Sequence, residues 1–204
     1  MLLSGEVKIK LKETSRKIFT IHGDSTVGQE KYVLNAPLKL ALAAIFGALV
    51  AAVTVSFVIP IPATSGYFNL GEALIYTAAL LFGPFVGAFA GGSAAMADVL
   101  VPGAAQFAPG TLVIKGFEGA IVGFLNTKLQ KRTSNLGLSA AISVTVGGLE
   151  MVAGYFIYEQ LVLGYSLPAA FVEVPFNIVQ MVIGLVVAVP IMYAVQRVFP
   201  QLKS

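Results

Sequence analysis

Seven ionisable side chains sit inside otherwise apolar stretches of the chain: Glu72, Asp98, Lys115, Glu118, Glu150, Glu159 and Glu173. A charge withdrawn from water is expensive, so such residues pair with one another, line a cavity or mark a substrate path. Lys115 and Glu118 stand three apart, close enough on a helix to neutralise each other. Glu173, Asn177, Gln180 and Gly184 follow a 4-3-4 spacing that puts them on one helix face. Most of these groups, with Asn69, Gln106, Tyr158 and Tyr165, fall in the same half of their apolar stretches, and only Glu150 lies near mid-depth. That asymmetry predicts a polar pocket opening at one side. Lys115 also reads as a charge-paired lysine tying helices together, and for Glu150 a structural role is the better reading. Tyr67 and Phe68 suit stacking on a planar ring and equally suit an aromatic belt at a membrane interface.

The elements that must position these residues are membrane helices. Across 204 residues the hydrophobic share is 57%, the charged share 11% and the mean hydropathy +0.86, far from a soluble domain. Apolar segments run over 38–58, 70–82, 84–100, 109–127, 138–162 and 170–196. A spanning helix needs about 20 apolar residues, and the second segment is short for one. Pro84 stands at a tolerated first-turn position, whereas Pro175 lies inside the sixth segment and leaves a carbonyl for neighbouring helices to satisfy. The prediction is an all-α, polytopic, multi-pass protein of the cell membrane, with six transmembrane helices in one bundle.

Charge sets the expected orientation. Twelve of the thirteen basic residues fall before or at the first segment, in the 127–137 turn or at the C-terminus, while connections 59–69, 101–108 and 163–169 have none. The positive-inside rule then places both termini in the cytoplasm. Topology accounts for the net charge of +3, so nucleic-acid binding is not needed. Residues 1–36 form a polar basic stub lacking the apolar core of a signal peptide. The alternation in Val7-Lys8-Ile9-Lys10-Leu11-Lys12 allows a small hairpin, but a solvated or lipid-facing arm is preferred. Residues 37–204 form the second, membrane-embedded domain.

Small residues supply another signal. Ala44, Ala48 and Ala52 recur every fourth residue, with Ala43, Gly47 and Ala51 beside them, and predict a flat face where another helix approaches closely. Gly83, Gly87 and Gly91, and then Gly119 and Gly123, read as internal packing. With no cysteine and a single histidine ahead of every apolar segment, no metal site or cofactor is expected. Enzyme motifs are also missing, so the expectation is a non-enzymatic chain with any ATP hydrolysis on partner chains.

The runs FNLGEALIYTAALLFGPFVGAFAGG (68–92), LVIKGFEGAIVGFL (112–125) and VPFNIVQMVIGLVVAVPI (174–191) together resemble the S components of energy-coupling factor (ECF) transporters, closest to the riboflavin-type branch. The similarity covers roughly residues 36–198. It implies a substrate-binding subunit of an ECF-type ABC importer that captures a vitamin or precursor from outside, a riboflavin-like planar heterocycle being favoured. It further implies docking on a transmembrane coupling protein driven by two cytosolic ATPase subunits. On this resemblance Ala44, Ala48 and Ala52 form the docking face, and Asn177 bonds the substrate. Lys115, Glu118 and Glu173, with Asn69, Tyr158 and Gln180, line the pocket, and the loop around Tyr67 and Phe68 is its lid. The lack of tryptophan argues against a thiamine-type substrate. The alternative is a self-sufficient secondary transporter of a small polar metabolite, coupled to protons through Glu150 and Glu118.

Overall fold

The computed structural model describes residues 35–133 and 135–202; the N-terminal stub, with its hairpin-or-arm question, lies outside them. Six apolar helical segments make up the described bundle. Helix α1 (Ala36–Ser56) starts where the Asn35 side chain accepts the amide of Leu38 at 3.0 Å, with proline in the first turn. A two-residue antiparallel pair follows, β1 (Ile59–Pro60) with β2 (Tyr67–Phe68), in the register Ile59 to Phe68 and Pro60 to Tyr67. Next come α2 (Gly71–Phe82), α3 (Pro84–Gly92) and α4 (Ala95–Leu100). A 3-10 turn at Ala105–Phe107 leads into α5 (Ala108–Gln130), then α6 (Leu136–Leu161) and α7 (Leu167–Val198).

Four stretches are long and apolar enough to cross a membrane: Ala36–Ser56, Ala105–Gln130, Leu136–Leu161 and Leu167–Val198. Gly71–Phe82 and Pro84–Leu100 are shorter. At 1.5 Å per residue the 12 residues of α2 reach only about 18 Å, against a hydrocarbon core near 30 Å. This helix is instead the centre of the bundle, packed on α1, α3, α5 and α7, with Ile75, Tyr76, Ala78, Ala79, Leu80 and Leu81 all buried.

The third segment is not one helix, as the sequence suggests, but two. It breaks at Ser93 and Ala94, where amides bond three residues back, Ala94 to Gly91 and Ala97 to Ala94. Between α2 and α3 the chain turns at Gly83, whose φ of +85° strains any side chain, and Pro84 then starts α3 with φ already helical.

The glycine runs pack internally. A Cβ on Gly87 would meet the Gly119 carbonyl oxygen at 2.5 Å, one on Gly123 would meet Gly83 and Pro84 backbone at 2.5 Å, and one on Gly91 would run into the Lys115 carbonyl. Helices α3 and α5 therefore touch backbone to backbone. The flat face expected on α1 divides in two: Ala43 and Gly47 turn inward, Gly47 onto Ser93 and the Phe89 ring, while Ala44, Ala48 and Ala52 stay exposed.

Gly116 serves as an internal control on the same helix, since a Cβ there would lie 3.7 Å from the Ala88 oxygen, an ordinary contact. Gly119→Ala should lower stability by about 1–3 kcal/mol through overpacking against backbone that cannot yield. Gly116→Ala should be neutral or gain up to about 1 kcal/mol of helix propensity. Thermal unfolding of both variants in detergent checks this, and equal midpoints would contradict the close α3/α5 contact.

Candidate functional site

Helix α7 carries the stripe that its spacing predicts. Glu173, Asn177, Gln180 and Gly184 are on its buried side with Ala170, Ala188, Met192 and Gln196. The stripe continues through Pro175 and also through Pro190. Near the basic-free end of the bundle, Glu173, Asn177 and Gln180 face a cavity closed by α1, α4, α5, α6 and the β1–β2 loop.

The cavity wall is mostly polar. Thr54 comes from α1, Gly66, Tyr67 and Asn69 from the loop, Asp98 from α4, Thr111 and Lys115 from α5, and Tyr155 and Glu159 from α6. The amide of Asn69 donates to Gln180 Oε1 at 3.0 Å, and Gln180 Nε2 donates to Asn177 Oδ1 at 3.0 Å, so the loop is registered on α7 by side chains. Asn69 Oδ1 in turn accepts the amide of Gly71 at 2.9 Å, meeting an otherwise unpaired donor at the start of α2. Thr111 and Tyr155 share a 2.8 Å hydroxyl contact between α5 and α6.

Charges are arranged in two layers. Lys115 forms an ion pair with Glu72, both almost wholly buried. Three residues further along α5, about 4.5 Å deeper by helical rise, Glu118 accepts the Tyr76 hydroxyl at 2.6 Å. The i,i+3 pair expected between Lys115 and Glu118 is thus replaced by a crossed pairing. Glu72 and Tyr76 sit four apart on α2 and each takes one of the two residues. Glu150 is half-buried on α6 and does not reach the cavity.

The β1–β2 loop covers the opening. Thr64 Oγ1 donates to Glu173, the Gly66 amide donates to Thr64 Oγ1 at 3.1 Å, and the Ser65 amide reaches the Tyr165 hydroxyl at 3.4 Å. A Cβ on Gly66 would run into the Glu173 carboxylate, so a side chain there would displace the end of Glu173. Tyr67 donates to Asp98 Oδ1 at 2.5 Å. Burial first, and the Asp98 charge second, push the Tyr67 phenol well above its ordinary range, so it stays a donor.

Of the residues expected to bind substrate, Asn69, Lys115, Glu173, Asn177 and Gln180 line this one cavity, as does Tyr67. Glu118 lies beneath it. Tyr158 points elsewhere, donating to the Gln106 carbonyl at 2.8 Å and tying down the loop before α5. Phe68 is buried edge-on to Phe57, with centroids 6.4 Å apart, and offers no ring face to the cavity. Asp98 and Glu159, counted among the intramembrane charges but not assigned to the binding set, line it as well, whereas sequence reasoning left out Thr54, Thr111 and Tyr155. Thr111 and Tyr155 had a usable signal: Thr111 stands four before Lys115, and Tyr155 four before Glu159, each pair on one helix face.

Side chains nearly fill the cavity, leaving a free volume of about 30 Å³, room for a water or two. A vitamin-sized ligand needs roughly 300 Å³ or more.

Comparison with known proteins agrees with this architecture. Residues 35–197 match the family model for the ECF-type riboflavin transporter, S component. The chain is 41% identical over 140 residues to the uncharacterized protein in gap 3′ region of Pyrococcus woesei, covering 68% of this chain and 88% of that one. It is 35% identical over 151 residues to the thiamine precursor transporter HmpT of Lactococcus lactis subsp. cremoris (strain MG1363), covering 74% and 82%. Its fold is similar to a solved S component of a bacterial ECF transporter, with TM-score 0.61, 16% identity and coverage of 81% of this chain and 99% of that one. An apolar bundle with one polar, loop-capped cavity and a family match over 163 residues (35–197) leads to one assignment: the chain is a multi-pass membrane protein belonging to the ECF-type riboflavin transporter S component family.

Proposed function

We propose that residues 37–204 bind a planar, nitrogen-containing vitamin or vitamin precursor in the cavity under the β1–β2 loop and deliver it to an ECF importer. The observation that carries this reading is the convergence of Asn69, Lys115, Glu173, Asn177 and Gln180 on one loop-covered cavity at the basic-free end. By the positive-inside rule that end faces outward. Buried polar groups discriminate strongly, because a wrong ligand leaves them unpaired. A riboflavin-like ring fits the family match. A thiamine precursor, disfavoured by the absence of tryptophan, gains support from the similarity to HmpT. Proton-coupled transport through Glu118 and Glu150 is the weaker reading: Glu118 is bound to Tyr76, Glu150 lies off the cavity, and an apolar layer lies below.

Helix α1 presents the partner surface in this proposal. Ala44, Ala48 and Ala52 form an exposed small-residue stripe on a helix whose opposite side is packed into the bundle. A transmembrane coupling protein driven by two ATPase subunits is the occupant proposed for it. Ligand capture and docking are then on different faces and separable by mutation.

The test is mass spectrometry of small molecules released from the detergent-purified chain expressed alone in rich medium. A stoichiometric vitamin-like compound is expected, and Asn177→Ala should lose it, with affinity down at least about ten-fold. No released compound, together with no saturable binding of riboflavin or pyrimidine precursors, would sink the reading. Ala48→Leu should leave ligand binding intact and abolish co-purification with a coexpressed coupling module, and normal assembly of that variant would exclude the α1 stripe as the docking face. Thr64→Val should speed ligand dissociation several-fold, measured by stopped-flow chase, if the loop acts as a lid.

A further inference from the structure

The basic end of the bundle has a concavity of its own. An open groove of about 490 Å³ lies between the start of α6 and the end of α7, lined by Leu136, Tyr193, Ala194, Gln196, Arg197 and Pro200. That is within the size of a small-ligand site, and it shares no residue with the loop-capped cavity.

Gln196 is the anomaly in its wall. The residue is 1% exposed, yet neither Nε2 nor Oε1 has a hydrogen-bond partner among the described residues. A buried amide with donor and acceptor both idle is costly, and only a group that accepts and donates at once removes the cost. Water does so in an ordinary polar niche. The charge around this one favours an anion. Arg197 also lines the groove, and among the described residues it makes no ion pair or hydrogen bond. None of the six lining residues is acidic, and the nearest carboxylates on the two helices, Glu150 and Glu173, stand about 20 Å and 35 Å away by helical rise. Leu136 is the first residue of α6, so the positive end of that helix dipole is at the groove too. Arg197 as a mere complement to the negative end of α7 would leave Gln196 without an explanation.

We infer that this groove binds a phosphate ester that also carries a hydroxyl. The Arg197 guanidinium matches the phosphate fork to fork, Gln196 Nε2 donates to the same phosphate, and Gln196 Oε1 accepts the hydroxyl. A glycerol-type phospholipid headgroup has this chemistry, and so has soluble glycerol phosphate. The lipid is favoured by the flanks: Leu138, Val198 and Phe199, beside the lining residues in sequence, are exposed apolar side chains suited to acyl chains, and Tyr193 is exposed at the level where tyrosine meets headgroups. The inference is independent of what the loop-capped cavity binds.

Three lipids with the same acyl chains serve as probes: phosphatidylglycerol, phosphatidylmethanol, which keeps the phosphate charge but has no hydroxyl, and phosphatidylcholine. Each is titrated into the detergent-purified full chain and counted by native mass spectrometry. Phosphatidylglycerol should bind at least about ten-fold more tightly than phosphatidylcholine and about three-fold more tightly than phosphatidylmethanol. Arg197→Gln, at an exposed position, should bring the first preference to within about two-fold. Gln196→Leu should erase the second, while the thermal midpoint of the lipid-free chain holds or rises because an idle buried amide is gone. Lys128→Gln removes a cation that stacks on Phe124 at 4.6 Å and does not line the groove, and it should change neither preference. Glycerol 3-phosphate is the soluble arm: displacement of phosphatidylglycerol by it supports the site with a ligand from solution, and failure to displace supports the site with a lipid ligand. Equal binding of phosphatidylglycerol and phosphatidylcholine overturns the inference. So does a preference that Lys128→Gln lowers as much as Arg197→Gln, which is diffuse surface charge, or one between the two anionic lipids that survives Gln196→Leu.

Discussion

The ion pair between Lys115 and Glu72 is the interaction on which the polar half of the bundle depends. Neither charge would survive burial alone, and loss of one partner from such a pair costs about 3–5 kcal/mol because the other stays buried. Their meeting has a backbone cause. Helices α3 and α5 touch at Gly91 and Gly119, and α2, turned back through Gly83, lies alongside with Glu72 facing Lys115. Small residues set the helix spacing, spacing brings the charges together, and the charges fix the rotation of α2 at the cavity's base.

Below that base the chemistry changes. Ile75, Tyr76, Leu80, Val122, Val144 and Ala188 belong to one apolar cluster that meets the cavity wall only at Ala94. The opposite end carries a small polar group of its own. Asn126 donates to the Leu80 carbonyl at 3.1 Å and accepts from Ser139 at 3.0 Å, and Ser143 bonds back to the Ser139 carbonyl at 2.7 Å. These groups satisfy one another and tie α2, α5 and α6 together, a structural role that short polar residues perform well in helix packing.

Much of this was legible in the sequence because helix periodicity and charge cost are local rules. The buried stripe on α7 and the internal glycine faces follow from spacing alone. The failures are equally physical. Lys115 prefers Glu72, 43 residues away, to Glu118 on its own helix, since side-chain geometry across a packed interface outweighs proximity in sequence. Tyr158 and Tyr155 are three apart on α6, yet only Tyr155 faces the cavity, and helix rotation is set by neighbours that one sequence does not reveal. The break at Ser93 lacks a proline, and Gly91-Gly92-Ser93, which permits a kink, reads equally well as internal packing within a continuous helix.

The packed layer between the two polar ends has an electrical consequence. A transmembrane potential drops chiefly across low-dielectric material, and here that material is the apolar cluster beneath Lys115. A charged ligand held above it has crossed little of the field. The work of carrying a charge past the cluster, about 2.3 kcal/mol per elementary charge for each 100 mV, is therefore not yet done at the cavity. As it stands the bundle is an insulator with a charged terminal at its basic-free end.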